Sequence, residues 1–92
     1  MSALPKISVI TPCFNSIHTI RDTIESVRRQ DCPNLEHIVV DGGSSDATRS
    51  LATPLADAVL VCAPGRAKQM NAGARAARGE TLLFLHADSI PP

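Results

Sequence analysis

The chain has 92 residues, of which 43% are hydrophobic and 20% charged, with nine basic residues balancing nine acidic ones. That length allows one domain burying somewhat over roughly 60% of its unfolded surface, and apolar content this high at zero net charge argues against disorder. The charge balance and the absence of Trp and Tyr disfavour a nucleic-acid surface, which needs basic patches and stacking rings.

Met1 to Lys6 carries no apolar stretch of signal-peptide length, and the longest apolar runs fall far short of the roughly 20 residues that cross a bilayer. Ile7 to Thr11 is a β-branched apolar run and predicts a buried strand closed by Pro12. Asn15 or Ser16 then offers a helix N-cap, and Ile17, Ile20, Ile24 and Val27 recur at steps of three and four, as on one helix face. Pro33 and Asn34 make a turn, and His37 to Val40 is a second strand. It ends in Asp41 to Asp46, a glycine turn feeding a short helix that Pro54 stops. Ala58 to Val61 is a third strand. Ala67, Met70, Ala74 and Ala77 form another helical stripe, with Gly79 in the place of a C-terminal glycine. Thr81 to Leu85 is the fourth strand, and no internal repeat or linker divides the chain.

Strands alternating with helices, the strands almost wholly apolar, predict an α/β domain with a parallel sheet and helices on both faces. All strand C-terminal ends then share one edge, where ligands of open α/β sheets bind. Three polar segments would meet there: 11–15, 41–46 and 86–89. The run Leu82 to Leu85 is apolar on both faces, so the last strand expects cover from a further segment or a second copy of the chain. Three cysteines at wide spacing, Cys13, Cys32 and Cys62, make neither a disulfide framework nor a zinc site. They are expected as small buried hydrophobes in a reducing compartment, which points to the cytoplasm.

Asp41 ends a buried strand before two glycines. Its carboxylate can cap its own turn or accept a strong hydrogen bond from a nucleobase N–H. Ser44, Ser45 and Asp46 suit a helix N-cap, and neither a dinucleotide-binding nor a P-loop pattern is present. Asp88 follows the last strand, where a carboxylate can hold Mg²⁺ or Mn²⁺ against a diphosphate, with His86 two residues away as a helper; a turn Asp beside a packed His is the plainer reading. Arg66 and Lys68 open the third helix, where the dipole favours acids, so an anion is the neighbour they suit; a solvated basic face shared with Arg75 and Arg78 is the alternative. Gly73 inside that helix implies close backbone packing, and His18 and His37 read as structural.

Together these segments resemble family 2 glycosyltransferases. Residues 7–15 look like that family's opening strand, and 38–48 resemble its "VVDDGSTDGT" segment. Residues 65–73 resemble its "G-x-a-x-a-x-N-x-G" helix, and 83–88 its "fLDaD" strand with a DxD-type metal site. The sequence departs twice: Gly42 replaces the usual second Asp after Asp41, and His86 replaces the first Asp of the metal motif.

The resemblance implies a Rossmann-like GT-A fold, here its N-terminal donor-binding portion over residues 1–92, cut before the acceptor half. It implies sugar transfer from a nucleotide-sugar donor, most often UDP-linked, to a glycan, lipid or polysaccharide acceptor. Thr11, Pro12 and Phe14 would line the nucleoside pocket, Asp41 would contact the base, and Arg66 and Asn71 would add donor contacts. Asp88 with His86 would hold a divalent metal, Mg²⁺ or Mn²⁺, and the diphosphate. No catalytic residue is expected within the chain, because the family takes its general base from the acceptor half. A non-catalytic nucleotide-binding portion that needs a further segment or partner is the second reading. A cytoplasmic place, or the inner face of the membrane, is expected, with self-association through the last strand.

Overall fold

The computed structural model describes residues 6–30 and 32–86. Seven elements alternate along the chain: β1 (Ile7–Cys13), α1 (Ile20–Arg28), β2 (Leu35–Asp41), α2 (Thr48–Ala52), β3 (Ala58–Val61), α3 (Arg66–Ala76) and β4 (Thr81–Phe84). The four strands form one parallel sheet in the order β3-β2-β1-β4. From β1 the chain steps outward to β2 and β3, then returns past β1 to lay β4 on its other side. The order therefore reverses beside β1, which is where open α/β sheets form a ligand crevice.

β1 runs past Pro12 to Cys13, two residues beyond the expected stop. The Ile10 carbonyl accepts from Leu85 N–H on the β4 side, so Pro12, two residues on, turns its missing donor the same way. β4 pairs only with Ile7 to Ile10, so no ladder bond is lost at Pro12.

Each face of the sheet buries its own apolar cluster. Cys13, Ile20, Ile24, Val39 and Ala52 pack under α1 and α2, with Leu51, Leu55 and Val59 against them. Ile10, Ile38 and Val40 pack under α3, where Ala72, Ala74 and Ala77 close the layer. Alternation along β1 and β2 sends successive side chains to opposite clusters.

Several local expectations are corrected. α1 buries Ile20, Thr23, Ile24 and Val27, but Ile17 precedes the helix. Neither Asn15 nor Ser16 is the N-cap: Thr19 is, without a side-chain bond, while the Ser16 carbonyl accepts from the Thr19 and Ile20 N–H groups. α3 buries Gln69 and Gly73, and Ala67 is exposed. An alanine stripe weakly marks a face, because Ala adds little apolar area on any side of a helix. Gly79 does not cap α3, which ends at Ala76 with an extended Ala77. It lies against the start of β1, where a Cβ would come 2.7 Å from the Lys6 carbonyl, and its N–H donates to Ser8 Oγ at 2.8 Å. Of the three cysteines only Cys13 is buried; all three are free thiols.

β4 is the least covered strand, with Leu82, Leu83 and Phe84 between 37% and 50% exposed. Between it and α1 opens a cavity of about 980 Å³, whose lining includes Val9, Val27, Leu83, Phe84 and Leu85. No helix among the described residues is long and apolar enough to cross a membrane.

Candidate functional site

The loops after β1 and β2 are tied to each other by side-chain bonds that begin at Asp41. Asp41 is 0% exposed, and its Oδ2 accepts from Gly43 N–H at 2.9 Å and Ser44 N–H at 2.7 Å. Ser44 Oγ donates to Oδ1, as does the Cys13 thiol at 3.6 Å. Arg49 Nε lies 3.7 Å from Oδ2 and supplies the countercharge from a half-exposed position. A buried carboxylate is stable only with partners of this kind. The sequence left open whether Asp41 caps its own turn, and here it does.

From that turn the bonds cross to the β1 loop. Asn15 N–H donates to Ser44 Oγ at 2.8 Å, Ser16 N–H to Thr48 Oγ1 at 2.9 Å, and Ile17 N–H to Asp46 Oδ2 at 3.3 Å. In return Ser45 N–H donates to Asn15 Oδ1 at 2.8 Å. Asn15 sits at φ 48°, in the left-handed region that Asn tolerates. Asp46 also accepts from the Thr48 hydroxyl and N–H; these bonds, the hydroxyl first, hold its carboxyl below the usual range. The effect of this stitching is to fix Phe14, which is 52% exposed at the strand-end edge.

At the reversal beside β1 lies a pocket of about 220 Å³ lined by Pro12, Cys13, Phe14, Ser16, Arg66, Gln69 and His86. Small-molecule sites span about 300–1,000 Å³, so this is the size of a subsite. Four residues expected at a donor site meet here: Pro12 and Phe14 from the end of β1, Arg66 from the start of α3, and His86 just past β4. The large apolar cavity beside α1 contains none of them.

Other expected residues stand elsewhere. Thr11 is fully buried under α1, its hydroxyl 2.7 Å from His37 Nε2, so it backs the sheet and does not line the pocket. Alternation along β1 puts Thr11 on the face with Val39, away from α3. Asn71 is exposed on α3 and outside the pocket wall. Asp88 lies outside the described residues.

Gln69 is the wall residue that the sequence did not reveal. It is 5% exposed, and its Nε2 donates to the Cys13 and Val40 carbonyls, each at 2.8 Å. Gly73 one turn later marked the same helix face and was the available signal. There a Cβ would come 3.1 Å from Val40 Cγ2 and closer still to Ile10 Cγ2.

The pocket's chemistry suits an anion more than a covalent reaction. The Cys13 thiol is pushed up to about 12, first by burial and then by the Asp41 carboxylate, which rules it out as a nucleophile near neutral pH. Arg66 stands at a helix N-terminus, whose first N–H groups favour negative charge. Among the described residues no group of three His, Cys, Asp or Glu side chains forms a metal cage. Mg²⁺ bound with phosphate usually takes only one or two carboxylates from the protein, so the lack of a three-residue group does not decide metal binding.

Residues 8–92 match the model of the family described as glycosyl transferase family 2. An uncharacterised glycosyltransferase of Mycobacterium tuberculosis is 36% identical over 98 residues, covering 94% of this chain and 35% of the relative. The chain thus spans about a third of the length of the curated relatives it matches. Among solved structures, a mannosyltransferase of Pyrobaculum calidifontis in complex with GDP-mannose and Mn²⁺ is similar at TM-score 0.84 and 29% identity, over 99% of this chain and 30% of that one. Glucosyl-3-phosphoglycerate synthase of M. tuberculosis, in complex with Mn²⁺, UDP and glucosyl-3-phosphoglycerate, is similar at TM-score 0.82 and 28% identity, over 96% of this chain and 35% of that one.

Proposed function

The chain belongs to glycosyl transferase family 2, and from that membership we propose that its strand-end pocket holds a UDP-linked sugar donor for transfer to an acceptor hydroxyl. The observation that carries the reading is the meeting of Pro12, Phe14, Arg66 and His86, from three separate elements, at the reversal of strand order. Pro12 and Phe14 form the apolar side for the nucleoside, with Thr11 supporting β1 from the other face. Arg66 faces the diphosphate, and Asn71, exposed on α3, would touch only a part of the donor that extends beyond the pocket wall. His86 and Asp88 would hold Mg²⁺ or Mn²⁺, which when bound neutralises charge on the diphosphate. Two similar proteins are solved with Mn²⁺ and a nucleotide or nucleotide-sugar, in keeping with this.

Asp41 is assigned to the base under one condition. Its oxygens are already engaged, so a base N–H must take the place of the Ser44 hydroxyl on Oδ1. The acceptor, a glycan, lipid or polysaccharide, and the general base belong to parts of the fold beyond the donor pocket. Because the chain covers about a third of its relatives' length, a nucleotide-binding portion that turns over only with a further segment is the second reading.

Isothermal titration with UDP, with and without Mn²⁺, beside a radiolabelled transfer assay, tests both. Metal-dependent UDP binding supports the donor pocket. Turnover favours the complete enzyme, and binding without turnover favours the second reading. No binding of UDP or GDP with either metal overturns the proposal.

A further inference from the structure

We propose that Gln69 is the positioning residue of the strand-end pocket, and that residue 42 is glycine because the Gln69 carboxamide fills the space its side chain would need. Both hydrogens of Nε2 are used, one on the Cys13 carbonyl and one on the Val40 carbonyl, each at 2.8 Å. Those carbonyls lie at the ends of β1 and β2, from which the Phe14 loop and the 42–44 turn depart. The Gly65 N–H donates to Oε1 at 3.2 Å and so holds the start of α3, which carries Arg66. One buried side chain joins the ends of β1 and β2 to the start of α3, two of which, β1 and α3, wall the pocket.

The adjacent glycines serve different ends. Gly43 sits at φ +90° with open space around it, so its backbone conformation calls for glycine. Gly42 has no positive φ, yet a Cβ there would lie 2.9 Å from Oε1, 3.0 Å from Cδ and 3.2 Å from Nε2 of Gln69. Every one of those atoms belongs to a carboxamide pinned by three hydrogen bonds, so it cannot swing aside without losing them. The second Asp of the family pattern would direct its side chain into this group. Gly42 and Gln69 are therefore a matched pair. This role in donor binding rests on the proposed donor pocket; the pairing itself does not.

A double-mutant cycle on the full chain tests the pairing through urea unfolding of wild type, Gly42→Ala, Gln69→Ala and the double variant. Gly42→Ala raises the unfolding constant about tenfold in the wild-type background and less than twofold in the Gln69→Ala background. An equal effect in both backgrounds overturns the pairing. Should Gln69→Ala fail to fold, NMR of the wild type decides: both Gln69 side-chain amide protons exchange with water at least tenfold more slowly than those of exposed Gln30. Exchange at the Gln30 rate overturns it. In the positioning arm, folded Gln69→Ala binds UDP with Mn²⁺ about tenfold more weakly, while Gln30→Ala matches wild type. Unchanged binding in folded Gln69→Ala overturns the positioning role. If wild type binds no nucleotide, the donor reading and the positioning role fail together, and the cycle and the exchange rates still decide the pairing.

Discussion

His37 gives the chain a stability that falls on mild acidification. Its ring is 2% exposed, Nε2 meets the Thr11 hydroxyl at 2.7 Å, and Nδ1 has no partner among the described residues. Burial pushes its pKa down to about 4, against a smaller upward pull from Asp57, whose carboxylate accepts from the His37 backbone N–H. The folded state thus holds the neutral ring, while the unfolded chain takes up a proton near pH 6.5. A group depressed in this way contributes its full stability above pH 6.5, and loses it as the pH falls toward 4. The whole gap corresponds to roughly 3 kcal/mol, and about 2 kcal/mol of it is gone by pH 5. That is a large share of the ~5–15 kcal/mol available to a domain. Urea unfolding followed by circular dichroism at pH 7.5, 6.5, 5.5 and 5.0 reads it directly. His37→Gln lowers the plateau but flattens the slope between pH 6.5 and 5. An equal slope in wild type and variant would refute the assignment to His37.

Four further outcomes follow from the same contacts. Gly73→Ala gains about 1 kcal/mol of helix propensity but drives a methyl into Ile10 and Val40; overpacking of about 1–3 kcal/mol wins, so the urea midpoint falls. A midpoint above wild type would contradict that packing. Phe14→Ala, at a half-exposed position, leaves the midpoint unchanged and weakens UDP binding about tenfold by calorimetry, as loss of an aromatic contact does. Asp41→Asn weakens the acceptor for two N–H groups and strands Arg49, lowering stability by about 1–3 kcal/mol; titration with UDP on the folded fraction reports separately on the base contact. Stripping Mn²⁺ with EDTA lowers UDP affinity, whereas unaltered affinity would remove the metal from the donor site.

β1 and β2 were legible because they are β-branched apolar runs buried on both faces, and such runs have few other ways to hide. Their parallel order followed from the helices between them. The polar edge was legible in part: Pro12, Phe14, Arg66 and His86 were named from sequence and meet at one pocket. Thr11 shows where that reasoning thins out. It belongs to the right segment, but one step along a strand reverses the facing, and a segment-level reading does not resolve that step. Gln69 was hidden for another reason. A search for helix faces counts apolar side chains, and this face is built from an amide and a glycine. Partners 29 and 56 positions away give that amide its value, and nothing local to residue 69 encodes them. Asn15 does not cap α1 for the same reason, since its side chain accepts from Ser45 N–H of the other loop.

Because Asn15, Ser16 and Ile17 each meet a fixed counterpart between Ser44 and Thr48, the two connections are held in step like the teeth of a zip fastener. Adding or deleting a single residue in either one shifts every later pairing out of phase. Inserted peptides, epitope tags and permuted termini therefore belong away from these two connections.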